Sequence, residues 1–168
     1  GRTSEEATSL FGKAQLEYQN FNYGKAKEML IELTENFGGT EQGKQGMLFL
    51  ANIYYQEKNY EQAKTTYSEF VDSYDGSRIL LASGHAGYGA CLELEEAFIN
   101  AAEQYDQAVK TAPEFAEAAN WLFLAGLNYS KAGEGEKAAG AFTRLIEEYP
   151  DYDRKFDAEA QLILMAKN

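Results

Sequence analysis

Enzymatic chemistry most often begins at a histidine or a cysteine with a partner in reach, and this chain has one of each, His85 and Cys91. An activated nucleophile would have to be built from that pair. Six residues apart on a helix they are turned about 600° from one another, so they occupy different faces, outside hydrogen-bond reach. A His/Cys metal centre needs more ligands than the chain owns. Carboxylates abound, as in "ELEE" at 93–96 and "DYD" at 151–153, but acidic residues on solvated helix faces are the ordinary case. "DSYDGS" at 72–77 offers too few oxygen ligands at the required spacing for a calcium loop. "GHAGYGA" at 84–90 falls within a helical pattern and lacks the strand that precedes a phosphate loop. Its three glycines suit close packing, at about 1 kcal/mol of helix propensity each relative to alanine. No catalytic residue, no cofactor and no metal site is expected.

The elements that would carry any binding site must then be read from composition. With 45% hydrophobic and 14% aromatic residues and only two prolines, the 168-residue chain is a folding one, long enough for one domain or a short array of units. A net charge of -12 argues against nucleic acid, whose phosphates need clustered Lys and Arg, and against an anionic membrane surface. No apolar run approaches the roughly 18 residues that would insert into a bilayer, and "GRTSEEATS" lacks a signal peptide's apolar core. One cysteine makes no internal disulfide, which leaves cytoplasm and periplasm equally open.

Self-comparison supplies the organisation. Ala26, Ala63, Ala101 and Ala138 recur at spacings of 37, 38 and 37. Twelve residues before each stands a small residue (Ala14, Ala51, Gly89, Gly126), and four after each a large one (Leu30, Tyr67, Tyr105, Phe142). Gly38, Gly76, Pro113 and Pro150 punctuate the units. "AQLEYQNFNYGKAK" aligns without a gap on "ANIYYQEKNYEQAK". A period in this range marks stacked repeats.

Each unit reads as two helices. Met47, Leu50, Ala51 and Tyr54 form one apolar stripe and Ala63, Tyr67, Phe70, Val71 and Tyr74 the next. Asn59 with Gln62 has the form of a capping box between them. In the fourth unit Leu122, Ala125, Gly126 and Tyr129 precede Ala138, Phe142, Leu145, Ile146 and Tyr149. Small residues let two helix backbones approach, and the aromatics fill the space beside them.

These residues resemble the tetratricopeptide repeat family, whose small, aromatic, small, aromatic and proline positions are met by Gly126, Tyr129, Ala138, Phe142 and Pro150. The second unit matches through Ala51, Tyr54, Ala63 and Tyr67, the third through Gly89, Leu92, Ala101, Tyr105 and Pro113. The first has Glu17 where an aromatic is usual, so Tyr18 or Phe21 is expected to take over that packing. The resemblance implies an all-α fold, an α-solenoid (right-handed superhelix) of about four helix pairs: units 7–40, 44–77, 82–115 and 119–152, within a single domain 1–168. The long period resembles that of bacterial cell-envelope members, YfgM-like and Tol-Pal-associated proteins, and implies a periplasmic or membrane-anchored location as one possibility beside the cytoplasm. The tail 153–168 forms a capping helix with Phe156, Ala160, Ile163 and Leu164 on one face, either closing the array or pairing two copies as a homodimer.

The resemblance further implies a concave, peptide-binding groove on the first helix of each pair, and so a non-enzymatic scaffold or adaptor for a protein or peptide partner. Mapped onto this sequence, its lining residues are Phe11, Gln15, Tyr18 and Gln19; Leu48, Asn52, Tyr55 and Gln56; Glu93; and Phe123, Leu127 and Lys131. Amides can pair with a peptide backbone and rings can hold its side chains. Tyr18 and Tyr55 could equally pack against a neighbouring unit. With Lys131 the one cation at a mapped position, the groove is expected to prefer neutral, apolar or basic segments over a C-terminal carboxylate.

Overall fold

The structure, a computed structural model, describes residues 2–167; Gly1 and Asn168, the ends of the expected domain, lie outside them. Among the described residues all regular structure is helical: α1 (Arg2–Gln19), α2 (Tyr23–Asn36), α3 (Glu41–Gln56), α4 (Tyr60–Ser73), α5 (Arg78–Leu94), α6 (Phe98–Thr111), α7 (Ala118–Lys131), α8 (Gly135–Glu148) and α9 (Lys155–Ala166). These are the expected four helix pairs and a terminal helix. They fall into two compact units, Gly1–Gly84 and His85–Asn168.

One turn joins the two helices of every pair. Phe21, Lys58, Glu96 and Gly133 sit at the same place in the four units, and all four have positive φ, between 61° and 79°. In each, the following amide closes the last helical turn: Asn22 N–H to Glu17 O at 2.8 Å, Asn59 to Tyr54 at 2.8 Å, Ala97 to Leu92 at 3.0 Å and Glu134 to Tyr129 at 2.9 Å. This six-to-one bond with a left-handed residue is the Schellman ending. Only Gly133 adopts it without a side-chain penalty.

In the N-terminal unit α1 packs on α2 and α3, α2 on α3, and α3 on α4. The small residues Ala14, Ala26, Ala51 and Ala63 are fully buried, with Leu30 and Tyr67 beside them. Of the two candidates for the missing aromatic, Tyr18 packs edge-on against Tyr23 and Phe49, each at 5.3 Å, whereas Phe21 is 76% exposed. Asn59 and Gln62 form no capping box: the Asn59 amide donates to the Gln62 side chain, and no side chain caps α4. Thr40 does cap α3, accepting from Gly43 N at 3.0 Å.

In the C-terminal unit α6 packs on α7, α7 on α8 and α8 on α9. Ala101 and Ala138 are fully buried, and Gly89 and Gly126 are buried opposite Tyr105 and Phe142. A Cβ at Gly126 would stand 2.5 Å from Phe142 Cε1, the close approach for which a small residue is needed. Cys91 is buried, and His85 Nδ1 lies 2.7 Å from Gln104 Oε1. The terminal helix departs from expectation. Its buried contact is Ala158, with Leu162 and Met165 half-buried on the same side. The face predicted to close the array is turned outward instead: Phe156 is 79%, Ile163 59% and Leu164 56% exposed, with Ala160 exposed between them.

Candidate functional site

In the N-terminal unit the residues assigned to the groove divide into packing and surface. Phe11 and Leu48 are buried, Phe11 edge-on to Phe49 at 5.7 Å. They are corrected from groove lining to core, because the neighbouring helices cover a stripe that spacing alone leaves open. Gln19 and Gln56 are exposed; Gln15, Tyr18, Asn52 and Tyr55 are half-buried. Tyr55 is held edge-on by Tyr60 at 5.3 Å.

Asn52 ties this surface together. Its Oδ1 accepts from Tyr67 Oη at 2.5 Å. It is also bonded to Tyr18, whose phenol is pushed above its ordinary pKa chiefly by burial, with the Asn52 hydrogen bond pulling the other way. A side-chain amide has two N–H donors and two oxygen lone pairs. The Tyr67 bond engages one lone pair of its oxygen. Residues from α1, α3 and α4 therefore meet at a half-exposed amide.

In the C-terminal unit Phe123 is fully buried and is likewise corrected from lining to core, 5.8 Å from Phe142. Glu93 and Leu127 are half-buried and Lys131 exposed, its ammonium 5.4 Å from the centre of the Phe98 ring. Glu93 accepts from Asn128 Nδ2 at 3.0 Å. Asn128, absent from the mapped set, is fully buried and also donates to Leu124 O at 2.9 Å. Its Oδ1 has no hydrogen-bond partner. The repeat itself carried the signal: the equivalent positions hold Leu16, Ile53 and Cys91. Elsewhere in this unit Tyr129 donates to Asp106, whose carboxyl is pushed above the usual range chiefly by burial.

A second feature missed from the sequence lies where the α6–α7 and α8–α9 loops meet. It is a hollow of about 680 Å³ walled by Phe115, Tyr149 and Tyr152. Among the described residues no group of three His, Cys, Asp or Glu is placed to hold a metal. No helix there is long and apolar enough to cross a membrane.

Comparison with known proteins agrees with this architecture. The model of the YfiO family, described as outer membrane lipoprotein, matches residues 3–168. No curated protein matches the chain. Among solved structures it is similar to a double mutant of MamA from strain RS-1 (TM-score 0.74, 16% identity, 97% of this chain and 84% of that one). It is also similar to BtubC from P. vanneervenii (TM-score 0.70, 15% identity, 99% and 80%). A third is a kinesin light chain protein of tetratricopeptide-like repeats from Podosopora anserina (TM-score 0.71, 13% identity, 99% and 87%). At these identities the likeness is one of fold, an all-α repeat of the tetratricopeptide type.

Proposed function

The chain belongs to the YfiO family of outer membrane lipoproteins, and from that premise we propose that it is a non-enzymatic scaffold that holds an extended segment of a partner protein at the bacterial cell envelope, in assembly or quality control. The observation that carries this reading is the Asn52 cluster, a half-exposed side-chain amide held by Tyr67 and Tyr18 on the first helix of its pair. Pre-positioned groups bind a peptide backbone without paying to order themselves. Gln19, Tyr55 and Gln56 flank it with exposed or half-exposed amides and a ring. The family's description supports the envelope location.

The test uses the surface residues and spares the cluster. Wild type and Tyr55→Ala/Gln56→Ala are immobilised and exposed to envelope extract, with bound proteins identified by mass spectrometry and their affinities measured after purification. A partner bound at least tenfold more tightly by wild type, with both proteins equally stable to urea, supports the groove. Equal affinity for every partner refutes it.

A second reading is favoured by α9, whose outward face is symmetric in spacing. Phe156 lies four residues before Ala160 and Leu164 four after, so a two-fold axis at Ala160 would set each ring against the other copy's leucine. Lys167 would then meet Asp153. We propose a weak homodimer through this helix. Sedimentation velocity across micromolar concentrations checks it: association lost in Phe156→Ser/Leu164→Ser supports pairing, and a concentration-independent monomer refutes it.

A further inference from the structure

We infer that Glu93 receives a basic side chain, arginine above lysine, from the segment that the scaffold holds, and that the buried Asn128 positions it. The inference rests on the groove reading of the first helices, here α5 and α7, and both residues lie in the C-terminal unit.

The repeat sets the expectation for position 128. Its counterparts Leu16, Ile53 and Cys91 are apolar, and of these Ile53 and Cys91 are buried. Asn128 is fully buried as well, yet it is an amide. Its Nδ2 donates twice, to Leu124 O in its own helix at 2.9 Å and to Glu93 Oε1 at 3.0 Å. Turning the amide over would set its oxygen against both acceptors, so this orientation is the fixed one. Oδ1 is then left without a donor, a penalty that an apolar residue avoids. A buried polar atom in that condition calls for an explanation. A local rule broken in one unit while the others keep it points to function.

What the amide gains is its bond to Glu93. The groove position changes with it. Where the first two units carry Tyr18 and Tyr55, the units that follow carry Ile53 and Cys91; where the third carries Glu93, the fourth carries Asn128. A ring goes with an apolar residue and a carboxylate with an amide. The bond from amide to carboxylate is charge-assisted. A glutamate held in this way has less side-chain freedom to lose when a ligand arrives.

That ligand must bring donors and positive charge. Among the described residues Glu93 makes no ion pair, and its Oε2 accepts no hydrogen bond. Lys131, one turn further along α7, lies over the Phe98 ring at 5.4 Å instead. Glu93 is only half-buried, so a ligand can reach its carboxylate, while Asn128 behind it is sealed from solvent. Together with Asn128 Oδ1 the site holds acceptors that nothing answers. An anion is repelled there, and a neutral amide supplies donors but leaves the carboxylate's charge unmatched. A guanidinium supplies both, and its planar fork of N–H groups suits a carboxylate better than an ammonium does.

The probe is a phage-displayed library of random dodecapeptides selected on the full chain. The tightest binder is then synthesised as selected and with its basic residue replaced by uncharged citrulline, and both forms are titrated by calorimetry. The proposal expects an arginine or lysine at one position of the selected peptides, and binding at least tenfold weaker for the citrulline form. In Glu93→Gln that ratio falls below about two. Asn128→Leu keeps the branched shape and the net charge, so diffuse attraction to an acidic protein is unaltered. It should be at least as stable to urea as wild type and still lower the ratio by about threefold or more. A merely structural Asn128 would leave the ratio at its wild-type value, and that result overturns the positioning role. No basic position among the selected peptides, or an unchanged ratio in Glu93→Gln, overturns the proposal; this half-buried variant decides it should Asn128→Leu not fold. The groove of the N-terminal unit stands or falls separately: Tyr55→Ala/Gln56→Ala tests it through the affinity of both peptides and leaves their ratio alone.

Discussion

Two glycines in adjacent helices make a controlled test of why small residues recur at fixed spacing. Gly126→Ala and Gly140→Ala are the same chemical change, and each removes the helix-propensity penalty of glycine, about 1 kcal/mol. At Gly140 the new methyl would meet nothing within 4 Å, so the gain stands alone and the variant should be stabilised by about 0.5–1 kcal/mol. At Gly126 it would stand 2.5, 2.7 and 2.9 Å from three ring atoms of Phe142. Phe142 is fully buried and lies 5.8 Å from Phe123, itself buried, so the ring has no solvent to retreat into. Overpacking of this kind costs roughly 1–3 kcal/mol. Set against the propensity gain, Gly126→Ala should lose about 1 kcal/mol, and the two variants should differ by about 2 kcal/mol with opposite signs. Urea unfolding followed by Trp121 emission measures both; at about 2 kcal/mol per molar the midpoints would separate by about 1 M. A Gly126→Ala midpoint at or above wild type would refute the steric account of the repeat.

Three further outcomes are expected. Burial holds the Asp106 carboxyl above its ordinary 3.8, so the folded state binds the proton more tightly than the unfolded one. That contribution is fully present below the unfolded value and is lost as pH rises through the folded one, so Asp106→Asn should unfold at higher urea than wild type at pH 7 and lose the advantage towards pH 3. Lys58→Gly should stabilise the N-terminal unit by about 0.5–1 kcal/mol by relieving a left-handed residue, and Gly133→Ala should destabilise the other by about 1–2 kcal/mol, both read from thermal unfolding. Asn52→Ala removes one hydrogen bond of the buried Tyr67 hydroxyl and should cost about 0.5–1.5 kcal/mol in a circular-dichroism melt; stability equal to wild type would show that the cluster is not fixed.

What could be read from the sequence was whatever has a short-range steric cause. Ala26, Ala63, Ala101 and Ala138 are all fully buried because close helix packing admits little else, and that need repeats with the unit. Assignments failed where a third element decides. Phe11, Leu48 and Phe123 sit on the right helices, but whether a neighbour covers them depends on how the next helix lies. On α9 two apolar sides compete, and the smaller one, around Ala158, won the contact with α8 while Phe156 stayed outside. The inter-helix turns were hidden for another reason: Phe21, Lys58 and Glu96 hold a conformation that advertises itself only where the residue is glycine, as at Gly133.

The placement of Cys91 and Trp121 gives the molecule a built-in asymmetry of observation. Each is the only residue of its kind, both are buried, and both belong to the C-terminal unit. A thiol reagent reaches Cys91 only through opening events, and indole emission responds only to its own surroundings, so both signals read one half of the chain while the other half is dark to them. Circular dichroism, by contrast, sums helices from both. Coincidence of the three transitions would report a single cooperative melt, and a far-ultraviolet step with no counterpart in emission or labelling would be the N-terminal unit unfolding by itself.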